Sequence, residues 1–453
     1  MTKLKKLLAY SKKTFSFDKL VAQFNERRRY KQINDSSVLL CIILGLTSGL
    51  NSLNMLSQGS AANYSRSVLE NFLNINGLPR TLRRYVASLI KKMKRGKMIN
   101  LEHVKGKIIA SVDGVETYRV QYSPEEFYKK VAAGLIDKHC QIAVHKNSKT
   151  TEIEYYEAYH RLVVICIITD RGPMPLAWAY QESNAGEQYK AWLSSGAGVD
   201  AMPNTDDDSA EKVKQEGEIT TLKKMLADLQ QDFPSAMPFE VLIGDGLYDK
   251  STVITEVESY GVALIAVHKN EKRKLRQQAA EDFSTDKPLN SWPENGKRYD
   301  GWLGGYEDNN INRIDNKIKI VRVIRSNGSD SVDNYFYCSN RGFITPRFVE
   351  WCRHYRWKEE NGFNAWTNKW KLLKHVFHHT FAASDAMVGL IFTSIIFVEN
   401  FRRGNLKRGR CASSPMQSLA LFFRDMIKGI GFETRKQFHL FCENFMLVKS
   451  ASG

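Results

Sequence analysis

Cysteine is scarce in this chain: seven among 453 residues, with no C-x-x-C pair. Cys41, Cys140, Cys166, Cys338, Cys352, Cys411 and Cys442 are scattered and odd in number, which argues against a disulfide framework and fits a reducing compartment. Long apolar runs are also missing. The longest, Val38 to Leu46 and Ala386 to Val398, fall short of the roughly 20 residues a membrane span needs and read as buried helices. The N-terminus, MTKLKKLLAYSKKTF, lacks a long apolar core and a small-residue cleavage site, so no signal peptide is expected. Acid is in deficit: 49 Asp and Glu stand against 66 Lys and Arg, a net charge of +17. Such a surplus points to a polyanionic partner, nucleic acid first, with a basic soluble protein or a ribosome-associated factor as the plain alternative. Hydrophobic residues make up 43%, enough for sizeable cores and against pervasive disorder.

Along the chain, residues 1–104 read as helical and basic. The stretch Arg80 to Lys97 carries eight basic residues and no acidic one, which fits either a solvated face or contact with DNA. At Lys107 the texture changes. KIIASVDG is a short β-branched run ending in Asp-Gly and reads as a buried strand stopped by a turn. Residues 115 to 160 are polar and irregular. RLVVICIIT and MPLAWAYQE then form a strand pair about the turn DRGP. ITTLKKMLADLQQDF has helical spacing, FEVLIG is a strand ending at Asp245-Gly246, and GVALIAV follows as a fifth strand after a short helix. Residues 271–342 are β-rich and read as an inserted subdomain. Helices resume near Thr345, and residues 401–453 are basic and helical. The expected catalytic domain therefore comprises 105–270 and 343–400.

Three acids stand out by position. Asp113 and Asp245 close the first and fourth expected strands, each followed by glycine, and Glu360 lies in the helical segment HYRWKEENGFNAW. A strand-ending Asp-Gly is usually a plain turn, and Glu360 alone could be a surface acid. Together, an acid on the first strand, one on the fourth and one on a late helix follow the order of the ribonuclease H-like fold. Three converging carboxylates suit a hard cation, Mg²⁺ or Mn²⁺. Two such ions about 3.5–4 Å apart serve in-line displacement at phosphorus.

SVDG, VLIGDGLYDK and RWKEENGFN resemble the first-Asp strand, second-Asp strand and Arg-Trp-x-x-Glu-Asn-x-Phe block of DDE transposases of bacterial insertion sequences. The group concerned carries a β-strand insertion between the second Asp and the Glu. The resemblance runs from about Ile108 to Phe397, with AYHRLVVICI and NAGE as less specific matches. It implies an α/β ribonuclease H-like core with an inserted β subdomain and helical flanks. It also implies catalytic and metal roles for Asp113, Asp245 and Glu360, with two Mg²⁺ or Mn²⁺ ions. The implied partners are double-stranded DNA at element ends and target, and a second copy of the chain on that DNA. No membrane is implied, and the implied location is the bacterial cytoplasm, at the nucleoid. Two departures stand out. The family often has Tyr three positions before the Arg and Lys seven after the Glu; here those places hold Arg353 and Thr367. Arg356, one turn before Glu360, is the expected phosphate contact, with Lys371 and Arg353 as further DNA contacts.

Other residues are weaker pointers. His139, Cys140, His145 and His160 match no usual zinc spacing. His375, His378 and His379 suit packing. Trp357, Trp366 and Trp370 are either core or, where exposed, able to stack on a flipped base. The alternatives to a transposase are a nuclease on the same fold and a catalytically inactive, transposase-derived DNA-binding protein.

Overall fold

A computed structural model describes residues 35–47, 49–59, 64–96, 106–150, 152–169, 172–196, 208–311, 316–328, 330–364 and 380–405, with a few single positions besides. Four helices lead: α1 (Asp35–Thr47), α2 (Leu53–Gly59), α3 (Arg66–Leu73) and α4 (Leu78–Arg95). Then follow β1 (Ile109–Tyr122), α5 (Pro124–Ala132), β2 (Cys140–Lys146), β3 (Ile153–Thr169), β4 (Gly172–Tyr180), α6 (Ala185–Ser195) and α7 (Asp208–Asp232). The middle holds β5 (Val241–Gly244), α8 (Ser251–Ser259), β6 (Ala263–Val267) and α9 (Lys274–Thr285). Four strands β7 (Asn290–Glu294), β8 (Lys297–Glu307), β9 (Lys317–Asn327) and β10 (Asp330–Ser339) precede α10 (Pro346–Asn364) and α11 (Phe381–Asn405).

The strands form one mixed sheet in the order β2-β3-β1-β5-β6-β10-β9-β8-β7, with β4 also on β3. Strands β1, β5 and β6 run parallel, and β3 lies antiparallel to β1. The residues of β5, VLIG, are all buried, as an interior parallel strand covered on both faces requires. β2 and β4 share one flank of β3, pairing with its first and second halves respectively.

Several expectations change here. Residues 115–160, read as irregular, hold the end of β1, then α5 and β2. Helix α5 begins with a capping box in which Ser123 and Glu126 each bond the other's backbone, and Pro124 follows the cap. Asp245 therefore follows the fifth strand, and GVALIAV is the sixth. The inserted residues 271–342 begin with helix α9. Their strands do not stand apart: β10 pairs with β6 from Phe336↔Val267 to Cys338↔Ile265, so they prolong the central sheet.

The leading helices are likewise part of the core. Helix α4 buries Leu82, Val86, Leu89 and Ile90 against β4 and α11, while Arg80, Arg84, Lys92 and Arg95 lie along its exposed face. Helix α11 contains an 18-residue stretch, Phe381–Val398, that is apolar enough to cross a membrane and is 89% buried inside the protein. That stretch is longer than the sequence suggested because it takes in Phe381 to Asp385. Its one early acid, Asp385, is held by both Arg83 Nη2 contacts, at 2.7 and 2.8 Å, and by Trp178 Nε1 at 3.0 Å. This bond set joins α4, β4 and α11.

Removing one member of a buried charge pair leaves the other without compensation. We expect Asp385→Ala to cost about 3 kcal/mol in denaturant unfolding. A loss below about 0.5 kcal/mol, the level of an ordinary surface change, would show that the pair does not hold these elements together.

Candidate active site

The geometry of the site begins with strand register. β1 and β5 pair in parallel as Ile109↔Val241, Ala110↔Leu242 and Ser111↔Ile243. Two residues further along each strand stand Asp113 and Asp245, so the register places the two carboxylates side by side. Beyond this point the strands differ. β5 stops at Gly244, and Asp245 turns the chain by accepting the Leu247 backbone N–H at 2.8 Å on its Oδ1. β1 does not turn: it runs through Asp113-Gly114 to Tyr122, contrary to the expected stop. Gly114 serves close approach instead, since a Cβ there would meet Glu218 Oε1 at 2.5 Å.

Glu360 comes from α10, which packs against β1, β3, β4 and β5. The helix lies so near the start of β4 that a Cβ on Gly362 would meet Pro173 Cγ at 2.3 Å. This glycine sets the depth at which Glu360, two residues earlier, is carried. Arg356 Nη2 lies 2.6 Å from Glu360 Oε1, one helical turn away.

Asp245, Arg356 and Glu360 all bear on Asp113 electrostatically. Burial first, and then the neighbouring charge of Asp245, raise the Asp113 carboxyl from 3.8 to about 6. The Gly114 N–H, donating at 2.9 Å, and the Arg356 guanidinium oppose that shift, while Glu360 adds to it. A fourth acid belongs to the same field. Glu218 on α7 is 2% exposed, and its Oε1 lies 2.7 Å from Arg161 Nη2. Its carboxyl is also pushed up to about 6, by burial first and then by Asp113 and Asp245, with Arg161 opposing.

Glu218 and Arg161 were not singled out from the sequence. A signal existed: Glu218 shares the helical stripe of Leu222, Met225 and Leu229, all buried, where a lone carboxylate is out of place.

The remaining expected residues fall in different places. Arg353 is tied to Glu350 through Nε at 2.8 Å and Nη2 at 2.6 Å. Thr367 is buried and donates to the Phe363 carbonyl at 2.6 Å, so it lies in the helix packing. Trp366 is buried against Phe363 and Phe392, whereas Trp357, beside Arg356, is 60% exposed. Lys371, Trp370, His375, His378 and His379 lie outside the described residues. Asp137 Oδ2 accepts from His160 Nε2 across 3.2 Å, His139 stacks on Phe381, and burial pushes the Cys140 thiol up to about 12. These are packing and hydrogen-bond partners.

Among the described residues, no three His, Cys, Asp or Glu side chains stand ready-placed around a metal ion. The donor set nonetheless fits a hard cation in chemistry: all are carboxylates, and they bear on one another at one edge of the sheet. For Glu360 to join the aspartates, its carboxylate must share or leave Arg356. No known protein family matches the chain, and a comparison with curated proteins finds no relative. The class defined here is a mixed α/β protein with a carboxylate cluster at the junction of two parallel strands.

The raised Asp113 value gives a testable sign. Its proton is held more tightly in the folded than in the unfolded chain, so ionisation weakens the fold as pH rises through about 6. In metal-free buffer, Asp113→Asn should therefore be more stable than the parent at pH 8, by about 2 kcal/mol, with the gap closing below about pH 4. Denaturant unfolding at pH 4, 6 and 8 checks this; a variant less stable than the parent at pH 8 would contradict the crowding of charge at this edge.

Proposed function

We propose that the chain is a DDE-type transposase that cleaves DNA at the ends of a mobile element and joins the freed ends to target DNA. The observation that carries this reading is the parallel β1–β5 register, which sets Asp113 beside Asp245 with Glu360 brought up on α10. The order β4-β3-β1-β5-β6, with only β3 running against the direction of the other four, supports a ribonuclease H-like core. The long excursion between Asp245 and Glu360 matches the insertion seen in the sequence resemblance.

In this reading Asp113, Asp245 and Glu360 hold the catalytic ions. When bound, two Mg²⁺ or Mn²⁺ ions supply activation of the attacking water or 3′-hydroxyl and stabilise the leaving oxygen. The chain's own residues do the positioning. The Leu247 and Gly114 N–H groups each fix one oxygen of an aspartate. Arg356 holds Glu360 and is well shaped for a bidentate phosphate contact once DNA is present.

The exposed face of α4 suits the duplex. Arg80, Arg84, Lys92 and Arg95 form a basic row, while the opposite face is core. Because that face is core, deletion of residues 1–100 would open the hydrophobic interior, and point changes are the sounder probe. Both element ends must be cut in concert, so the active species on DNA is a dimer.

Two outcomes test the proposal. On supercoiled plasmid carrying the DNA that flanks this gene, Asp113→Asn, Asp245→Asn and Glu360→Gln should each lower Mg²⁺-dependent cleavage at least about 100-fold while DNA binding persists. Cleavage without joining would turn the reading to a nuclease; no cleavage by the parent chain, with binding intact, would turn it to an inactive DNA-binding protein. Separately, Arg84→Glu combined with Lys92→Glu should weaken duplex binding and flatten its salt dependence by about one unit per lost phosphate contact. An unchanged salt slope would remove α4 from the DNA interface.

A further inference from the structure

Glu218 is the feature that the three-acid reading leaves unexplained. It sits on the inward stripe of α7, between apolar neighbours that make the core, and is 2% exposed. A carboxylate in such a place is costly unless its charge is met. Arg161 on β3 meets it in part: the contact is 2.7 Å, yet neither Glu218 Oε1 nor Arg161 Nε has an aligned hydrogen bond. Tyr248 Oη donates to the other oxygen at a long 3.4 Å. The carboxylate also reaches the backbone beside Asp113 so closely that a Cβ at residue 114 would lie 2.5 Å from Glu218 Oε1, and the acid would have to move aside.

The charge balance around it is uneven. The groups that bear most on Asp113 and Glu218 are four carboxylates, Asp113, Asp245, Glu218 and Glu360, and two guanidiniums, Arg161 and Arg356. Two negative charges are left over, the amount that one divalent cation would offset. An ordinary buried ion pair between α7 and β3 needs no contact with the strand that carries Asp113. Glu218 makes that contact, and a glycine stands where it does so.

We infer that Glu218 is a fourth acidic residue of the cation site, whose charge helps the Asp113–Asp245 edge hold a divalent ion, with Arg161 offsetting that charge in the metal-free chain. This rests on the proposed metal-binding role of that edge. Its alternative is a purely structural pair in which Glu218 serves Arg161 alone.

The test is Mn²⁺ binding to the full chain without DNA, read by electron paramagnetic resonance of free Mn²⁺, beside thermal melting. Glu218→Gln keeps the shape and removes the charge. It should weaken Mn²⁺ binding about tenfold or more. Arg161→Gln, which removes the partner and leaves the acid, should not weaken it, although melting temperature falls. If Glu218→Gln does not fold, the double variant Arg161→Gln/Glu218→Gln leaves no unpaired buried charge and should show the same loss. Parental Mn²⁺ affinity in Glu218→Gln or in the double variant would overturn the assignment. Asp113→Asn separates the two levels of the argument. If Asp113→Asn also binds Mn²⁺ like the parent, the cation site itself is wrong. If Asp113→Asn loses Mn²⁺ while the Glu218 variants keep it, only the role of Glu218 is wrong.

Discussion

The constraint on which the site depends is the parallel pairing of β1 with β5. Ser111 opposite Ile243 leaves no freedom for the next pair outward, and so two aspartates 132 positions apart in sequence become neighbours. Like charges so placed oppose one another, and burial strengthens the opposition. The rise of Asp113 to about 6 expresses its burial first and the charge of Asp245 second. The fold bears it because β5 and β6 are buried on both faces and their apolar residues fix the register. A one-residue slip would turn every side chain of β5 to the opposite face, exchanging its packing on both layers at once.

The rest of the architecture holds that pairing in place. On one side α10 is drawn against β4 at Gly362 and carries Arg356 and Glu360 to the edge. Behind the sheet, Arg83, Trp178 and Asp385 tie a leading helix to α11. On the far side, β10 continues the sheet from β6, so β6 is paired on both sides. Just beyond that aspartate, Asp249 is buried between His268 Nδ1 at 2.5 Å and Arg273 Nη1 at 2.8 Å, which anchors the loop after β5 to the end of β6. The exposed residues Arg80, Arg84, Lys92 and Arg95 of α4 take no part in these contacts.

Much of this was legible in the sequence. The strands around Asp113 and Asp245, the β3–β4 hairpin and the helices carrying Glu360 and Asp385 all followed from apolar patterning and turn residues. What was not legible has identifiable causes. Asp113-Gly114 looked like a turn because Asp-Gly usually is one; the strand continues because the glycine answers a contact from α7, distant in sequence. The segment 115–160 looked irregular because β2 and the first half of β3 alternate with polar residues, and the Ser123–Glu126 cap that marks α5 was passed over. Glu218 was visible only as a break in an apolar stripe. Its meaning depends on Asp113, Asp245 and Arg161, which three other elements bring to it.

The proposed function requires a divalent cation among these carboxylates. Replacing Mg²⁺ with Fe²⁺ in the full chain and adding ascorbate and peroxide generates hydroxyl radicals at the bound ion, which cut the backbone nearby. The account predicts cuts confined to the neighbourhoods of residues 113, 245 and 360, suppressed by excess Mg²⁺. Cuts clustered elsewhere, or none above background while Fe²⁺ is bound, would contradict it.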